Sequence, residues 1–278
     1  MNALYKTIGV SKQAVYQYAK RQHIFDAKAT QLVAEAEKLR EEHPGCGVEK
    51  MYHTLKPDFI GRDRFIEMMM VLGFRIKRKK NYRRTTIASK IYYPNLIKGM
   101  EVVGPCQIWQ SDITYIPVKD KHYYAVFIID VYTKKIVGYQ VSDHMRATAN
   151  VKAMEMALRS HPPPRIHHSD RGSQYIYKEY IEILKQHKCN ISMSLTAQDN
   201  AYAERINRTI KEEYLDYWRP SSFIELKRYV NKAVKSYNHK RPHNGINKIS
   251  PDIFEKQWHQ IEEHLKPKIT IFNNEIYN

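Results

Sequence analysis

The chain has 278 residues, of which 42% are hydrophobic, enough for one substantial folded domain and one or two small ones. Its 46 Lys and Arg against 29 Asp and Glu give a formal charge of +17, which predicts a polyanionic partner such as nucleic acid. No apolar run is long enough to span a membrane and the N-terminus lacks a signal-peptide core, so we expect a cytoplasmic protein. Cys46, Cys106 and Cys189 are isolated, which indicates a reducing compartment and gives no zinc site.

The first predicted region, residues 1–44, is helical. Residues 4–18 predict a helix, a turn at Gly9 and a second helix capped by Ser11, as in a helix-turn-helix motif. This segment either contacts DNA or forms a helical hairpin for packing or for binding a partner. Apolar residues at helical spacing in 25–42 predict an amphipathic spacer or oligomerisation helix.

The second region, residues 45–98, combines a small helical DNA-binding part with a basic linker. Two helices are predicted at 48–55 and 62–72, followed by a run of positive charge at 75–84. Such a run is either a solvated tail or a linker that follows DNA phosphates, and its place after a helical hairpin favours the linker. Its candidate DNA-binding residues are Lys77, Arg78, Lys79, Lys80, Arg83 and Arg84.

The third region, residues 99–240, changes to a pattern of strands. Three runs, 108–116, 123–131 and 136–141, predict an antiparallel meander because short polar turns join them. A helix at 147–160, a strand at 165–168, a helix at 177–188, a strand at 190–193 and a further helix follow. This order predicts an α/β fold with a mixed five-stranded sheet flanked by helices, and residues 241–278 are a C-terminal extension.

Three acidic residues lie at positions where secondary structure can fix the place of a carboxylate. Asp112 lies in the first strand, Asp170 lies where the fourth strand gives way to a loop, and Glu204 lies early in a helix. Asp199 and Asn200 are possible N-caps of that helix. Mg²⁺ or Mn²⁺ takes oxygen ligands, and a pair of such ions serves phosphoryl transfer. An acidic residue is usually only a solvated surface charge, so this spacing alone is weak evidence.

Basic residues share the helix of Glu204. Arg208 and Lys211 follow it by four and seven positions and lie on its face, where they offer cations to phosphate groups. Arg205 and Asn200 flank Glu204 and either orient DNA or cap the helix.

Two other polar residues near these positions have structural interpretations that we favour. Asp130 ends a hydrophobic strand and either approaches the metal ions or makes a turn. His168 precedes Asp170 by two positions and either supports a metal ligand or hydrogen-bonds to backbone groups.

Five motifs in a fixed order carry a family resemblance. They are Trp-Gln-Ser-Asp-Ile-Thr-Tyr-Ile at 109–116, His-Ser-Asp-Arg-Gly-Ser-Gln-Tyr at 168–175, Ser-Met-Ser at 192–194, Asp-Asn-Ala-Tyr-Ala-Glu at 199–204, and Tyr-Asn-His-Lys-Arg-Pro-His at 237–243. Over residues 43–254 the chain resembles the second-frame products of the insertion sequence three family, transposases of the retroviral-integrase superfamily. Retroviral integrases also carry a His and Cys zinc module, for which this sequence has no pattern.

The resemblance implies a ribonuclease H-like catalytic core with a metal-binding triad. The triad maps onto Asp112, Asp170 and Glu204, which would hold two Mg²⁺ or Mn²⁺ ions, and the basic residue that contacts DNA maps onto Lys211. The implied activity is strand cleavage at the ends of a mobile element, followed by strand transfer through attack by the freed 3′-hydroxyl. One departure is visible: 33 residues separate Asp170 from Glu204, where the family usually has 35, which indicates a trimmed loop at 195–198.

The resemblance also implies the partners. These are double-stranded DNA with terminal inverted repeats, target DNA, further copies of the chain, and an upstream-frame product present as a partner or a fusion, in the nucleoid of a bacterial cytoplasm. Two alternatives remain open. One is a catalytically silent DNA-binding accessory protein, and the other is a structure-specific nuclease on the same fold, which cuts without joining strands.

Overall fold

The structure, a computed structural model, describes residues 9–76 and 92–271, without the side chain of Ala197. It separates into two compact units, one formed by 1–42 and 46–77 and the other by 43–45 and 78–278. The first helix of the predicted helix-turn-helix lies outside the described residues. So do the candidate linker residues Lys77, Arg78, Lys79, Lys80, Arg83 and Arg84. None of the described helices is long and apolar enough to cross a membrane.

The described residues of the first unit form the helices α1 (Lys12–Glu42), α2 (Val48–Leu55) and α3 (Arg62–Val71). The Ser11 hydroxyl accepts a hydrogen bond from Ala14 N at 3.0 Å, which confirms the predicted N-cap. The second helix of the predicted helix-turn-helix and the amphipathic segment 25–42 form one continuous helix, because no Gly or Pro interrupts residues 12–42. Leu32, Ala36 and Met69 are among the residues buried in its core.

The second unit is built on a mixed sheet. Its strands are β1 (Glu101–Val102), β2 (Ile108–Val118), β3 (Lys121–Asp130), β4 (Ile136–Ser142), β5 (Ile166–Ser169), β6 (Asn190–Met193) and β7 (Ile269–Thr270). β1 and β7 form a two-stranded antiparallel ribbon. The other five have the order β4-β3-β2-β5-β6, with β2, β3 and β4 antiparallel and with β5 and β6 parallel to β2. This confirms the predicted meander and mixed five-stranded sheet.

Helices cover both faces of this sheet. They are α4 (Thr148–Ser160), α5 (Lys178–Gln186), α6 (Ala201–Ile210), α7 (Phe223–His239) and α8 (Pro251–Trp258). Successive side chains of β3 point to opposite faces of the sheet. Phe127 and Ile129 belong to the hydrophobic cluster that contains α6 and α7, while Val126 and Ile128 belong to the one that contains α4 and α5. The sheet is therefore buried on both sides, and its central strands are rigid supports for polar groups at their ends.

The packing of β4 against α4 depends on a glycine. A Cβ atom on Gly138 would lie 2.2 Å from Ala153 O and 3.0 Å from the Ala157 Cβ. We therefore expect Gly138→Ala to lower the free energy of unfolding by about 1–3 kcal/mol, because the helix must move away from the sheet. Urea denaturation measures this loss. Gly61→Ala is the control, since nothing lies within 4 Å of its added Cβ, and equal losses in both variants would contradict the packing argument.

A candidate active site where β2, β5 and α6 meet

Two of the three predicted carboxylates lie side by side at one end of the parallel strand pair. Ser111 of β2 is opposite Ser169 of β5, so the next residues, Asp112 and Asp170, occupy neighbouring positions on strands about 4.8 Å apart. Asp170 begins the loop after β5, as the sequence predicts, and its Oδ1 accepts a hydrogen bond from Gly172 N at 3.0 Å. The strands thus bring two acidic groups together from positions 58 residues apart in the chain.

The third carboxylate, Glu204, lies in the first turn of α6, and a side chain of β2 holds the start of that helix. Gln110 Oε1 accepts hydrogen bonds from Tyr202 N at 3.1 Å and Ala203 N at 3.4 Å. Gln110 Nε2 donates to Asp199 O at 3.2 Å. Gln110, two residues before Asp112, therefore caps α6 from a distant strand and fixes Glu204 relative to Asp112.

Neither predicted N-cap performs that role, which corrects the expectation for Asp199 and Asn200. The Asp199 carboxylate accepts hydrogen bonds from Leu195 N and Thr196 N, both at 2.9 Å, and so closes the short connector before α6. Asn200 is buried, and its Nδ2 donates to Ser111 O at 3.0 Å. The Asn200 side chain thus makes no cap hydrogen bond, and it ties α6 to the strand of Asp112.

The three carboxylates influence one another electrostatically. Burial and then the charge of Asp170 raise the pKa of Asp112 to about 7, and Glu204 adds to this effect. Burial raises the pKa of Glu204 as well, where Arg208 acts in the opposite direction and Asp170 in the same one. Burial lowers the pKa of Lys211, and the charge of Asp112 partly offsets this. The charge of Lys211 is therefore coupled to that of Asp112.

Asn207 is a member of this site that the sequence analysis did not identify. Its Nδ2 donates to Asp112 Oδ2 at 2.8 Å, while Asp112 Oδ1 accepts from Ile113 N at 2.9 Å. Asn207 is buried, and its Oδ1 has no hydrogen-bond partner among the described residues. The available signal was its position three residues after Glu204, which places both side chains on the same face of α6.

The remaining candidates have structural roles or surface positions. Asp130 accepts hydrogen bonds from Tyr132 N, Thr133 N and Cys106 N, so it makes a turn, as favoured from the sequence. His168 is buried and its Nδ1 lies 2.8 Å from Ser192 Oγ, inside the sheet. Arg205 and Arg208 are exposed on α6.

Comparison with known proteins identifies the family. Residues 103–198 and 186–251 match two families described as integrase core domain. The chain is 36% identical over 210 residues to the uncharacterized 31 kDa protein of insertion element IS600 from Shigella sonnei, with 73% of this chain and 77% of that protein covered. It is 34% identical over 190 residues to the transposase for IS904 from Lactococcus lactis, covering 66% and 74%. The InsF transposase for IS3fB from Escherichia coli is 33% identical over 159 residues, 55% of each chain.

The chain belongs to the IS3-type insertion-sequence transposases. A solved structure of the simian T-cell lymphotropic virus intasome, in complex with the PP2A regulatory subunit B56 gamma, superposes on this transposase with a TM-score of 0.51. It is 15% identical, and the match covers 79% of this chain and 76% of that one. At this identity the likeness supports the fold alone, which is the predicted ribonuclease H-like core.

The donor set of the transposase fits a hard divalent ion, although its donors make protein contacts in this structure. Within residues 9–76 and 92–271, no three His, Cys, Asp or Glu side chains converge closely enough to bind a metal ion. Asp112 bonds to Asn207, and Asp170 bonds to Gly172 N. Three carboxylates on separate elements are nevertheless the ligands that Mg²⁺ prefers, and a cation would relieve the repulsion that raises the pKa of Asp112.

Proposed function

We propose that this transposase cuts DNA at the ends of an insertion element and joins the freed 3′-hydroxyl to another strand. The observation that supports this proposal is the electrostatic coupling of Asp112, Asp170 and Glu204, three carboxylates on different elements, of which Asp112 and Asp170 occupy neighbouring positions after the paired ends of β2 and β5. The family membership supports DNA transposition as the biological role. The trimmed connector is compatible with this proposal, because Asp199 closes it and Gln110 caps the helix that carries Glu204.

In the proposed reaction the protein positions phosphate and metal rather than forming a covalent intermediate. Asp112, Asp170 and Glu204 would hold two Mg²⁺ or Mn²⁺ ions, which supply activation of the attacking oxygen and stabilisation of the leaving one. Asn207 orients the Asp112 carboxylate through its 2.8 Å hydrogen bond. Lys211 faces the same site and supplies a positive charge to the phosphate that reacts.

The proposed partners follow from the same reaction. Arg205, Arg208 and the linker cations Lys77, Arg78, Lys79, Lys80, Arg83 and Arg84 would bind double-stranded DNA, both the terminal inverted repeats and the target. Two element ends must be cut and joined together, so we propose that several copies assemble on DNA, with an upstream-frame product as partner or fusion. The reaction would take place at the nucleoid in the bacterial cytoplasm.

A labelled duplex that carries the flanking inverted repeat, incubated with a target duplex and Mg²⁺, tests the proposal. Products in which labelled strands are joined to target DNA would support a transposase. Cutting without joining would replace the proposal by a structure-specific nuclease. Binding without either reaction, also in the presence of the upstream-frame product, would replace it by an accessory DNA-binding protein.

Lys211→Ala is expected to weaken DNA binding and to reduce the slope of log K against log salt by about one, because one phosphate contact is lost. Fluorescence anisotropy over a series of salt concentrations measures the slope without added Mg²⁺. Lys152→Ala is the matched control, since Lys152 is exposed on α4, a helix that packs on the opposite face of the sheet from α6. An unchanged slope in Lys211→Ala would remove Lys211 from the DNA interface.

A further inference from the structure

Part of the motif at residues 237–243 is buried within the second unit. Tyr237, Asn238 and Arg241 are 0%, 8% and 6% exposed. Asn238 Oδ1 accepts a hydrogen bond from Ile136 N at 3.0 Å and its Nδ2 donates to Ile136 O at 2.9 Å, as a neighbouring strand would. The Tyr237 hydroxyl donates to Lys134 O at 3.0 Å. These contacts attach the end of α7 to the turn between β3 and β4 and leave the Arg241 side chain directed into the protein.

Arg241 forms a two-pronged ion pair with Glu213. Arg241 Nε lies 2.7 Å from Glu213 Oε2 and its Nη2 lies 2.7 Å from Oε1, with the two side chains 8% and 19% exposed. His43 Nε2 lies 2.7 Å from the same Oε2. Burial alone would lower the pKa of Arg241, but the hydrogen bonds and charge of Glu213 outweigh it and raise that pKa. Such paired, charge-assisted bonds fix the direction of both side chains.

Glu213 belongs to a π-helical turn, Lys211–Leu215, that continues α6. Asp216 N donates to Lys211 O, five residues back, so this turn contains one residue more than an α-helical turn. Gly45 N donates to Glu213 O at 2.7 Å, and a Cβ on Gly45 would lie 2.3 Å from Glu213 Cα. The His43 ring stacks on Tyr214 with centroids 4.6 Å apart and planes 9° apart. Residues outside the helix therefore contact the π-helical turn at the main chain of Glu213 and at the side chains of Glu213 and Tyr214.

The residue that opens this turn is Lys211. We propose that Arg241, Glu213 and His43 are positioning residues that hold the π-helical turn so that Lys211 faces Asp112 and the phosphate of bound DNA. This inference rests on the proposed function, because it assigns the three residues to the DNA-binding step of that reaction. It gives Arg241, a buried residue of the motif at 237–243, a role inside the protein that acts through Lys211.

The physics of buried ion pairs favours positioning over stabilisation as the role. Removing one partner leaves an uncompensated buried charge, whereas replacing both partners by neutral side chains of similar size is often nearly neutral for stability. The informative variant is therefore the neutral pair Glu213→Gln/Arg241→Met. It should unfold within a few degrees of the wild-type temperature, and its effects should appear in DNA binding and joining.

A double-mutant cycle with Lys211→Ala tests the proposal. The neutral pair is expected to lower the rate of strand joining by about tenfold and to reduce the salt slope of DNA binding by about one, as Lys211→Ala does. Combining the neutral pair with Lys211→Ala should add little to either effect, because both act through the same ammonium group. The positioning role would be overturned if the losses in joining rate of the neutral pair and of Lys211→Ala multiplied in the combined variant. A wild-type salt slope in the neutral pair would overturn it as well.

Two further variants complete the experiment. Tyr237→Phe removes the hydrogen bond to Lys134 O from the same motif but leaves the contacts of the π-helical turn in place. Its salt slope of DNA binding should therefore remain that of the wild type. His43→Phe keeps an aromatic ring on Tyr214 but loses the contact with Glu213, so it tests the proposal even if the neutral pair fails to fold. If the proposal is right, His43→Phe reduces the salt slope of DNA binding by less than the neutral pair would, and it causes no reduction when Lys211→Ala is already present. An unchanged salt slope in His43→Phe alone would oppose the positioning role. If the wild type neither cuts nor joins DNA, the proposed function fails. The salt slopes of DNA binding then still decide whether Arg241, Glu213 and His43 position Lys211.

Discussion

Asp112→Asn is expected to slow strand cleavage and joining by on the order of 10³-fold or more, while the protein still folds and binds DNA. The substitution keeps the size of the side chain and an oxygen that can accept the hydrogen bond from Asn207. It removes the negative charge on which binding of a divalent ion depends. Lys211, Arg205 and Arg208 remain, so the electrostatic contribution to DNA binding is preserved.

The measurement compares single-turnover cleavage and joining of the labelled inverted-repeat duplex for wild type and variant at saturating Mg²⁺. Asp120→Asn is the matched control, because Asp120 is exposed in the turn between β2 and β3, on the same hairpin as Asp112. It should retain wild-type rates. Asp170→Asn and Glu204→Gln should lose activity to a similar extent as Asp112→Asn, since the three carboxylates are proposed to act as a unit. Cleavage at the wild-type rate in Asp112→Asn would refute the proposed mechanism.

The elements of the catalytic core were predictable because their signals are local. The meander from β2 to β4 follows from alternating apolar residues between short polar turns, and the ends of these strands in the structure differ from the predicted ends by at most two residues. Asp112 and Asp170 could be placed on their strands for the same reason. Their adjacency needed one further step, the parallel pairing of β2 with β5, which only the topology supplies.

The parts that escaped prediction depend on contacts between residues far apart in the chain. Local rules suggested Asp199 or Asn200 as the cap of α6, yet Gln110, about 90 positions earlier, satisfies its first backbone N–H groups. The bond between Asn207 and Asp112 spans 95 positions. The pairing of Arg241 with Glu213 depends on a π-helical turn that no periodicity indicates. In each case the sequence alone suggests a polar side chain at the surface, whereas in the structure this side chain hydrogen-bonds to a partner inside the protein.

The same carboxylate should give the metal-free protein an unusual dependence of stability on pH. The pKa of Asp112 is raised from an ordinary value of 3.8 to about 7, so between these values the folded protein binds a proton that the unfolded chain has released. Stability is therefore expected to fall as the pH rises from about 4 to about 7, and the full cost is present above 7. At about 1.4 kcal/mol per pKa unit, the full shift corresponds to a cost of about 4 kcal/mol.

Asp112→Asn removes this charge and should therefore be more stable than wild type at pH 8 in the presence of EDTA, by about 4 kcal/mol. The difference should shrink as the pH falls from 7 towards 4, because the Asp112 carboxyl of the folded wild type then becomes protonated and uncharged. Urea denaturation of both proteins at pH 4.5 and pH 8 measures it, with Asp120→Asn expected to follow the wild type. Mg²⁺ at pH 8 should stabilise the wild type more than the variant, because only the intact triad offers the ion three carboxylates. Parallel pH profiles for wild type and Asp112→Asn would show that Asp112 is not held among like charges, and the metal site would lose its electrostatic basis.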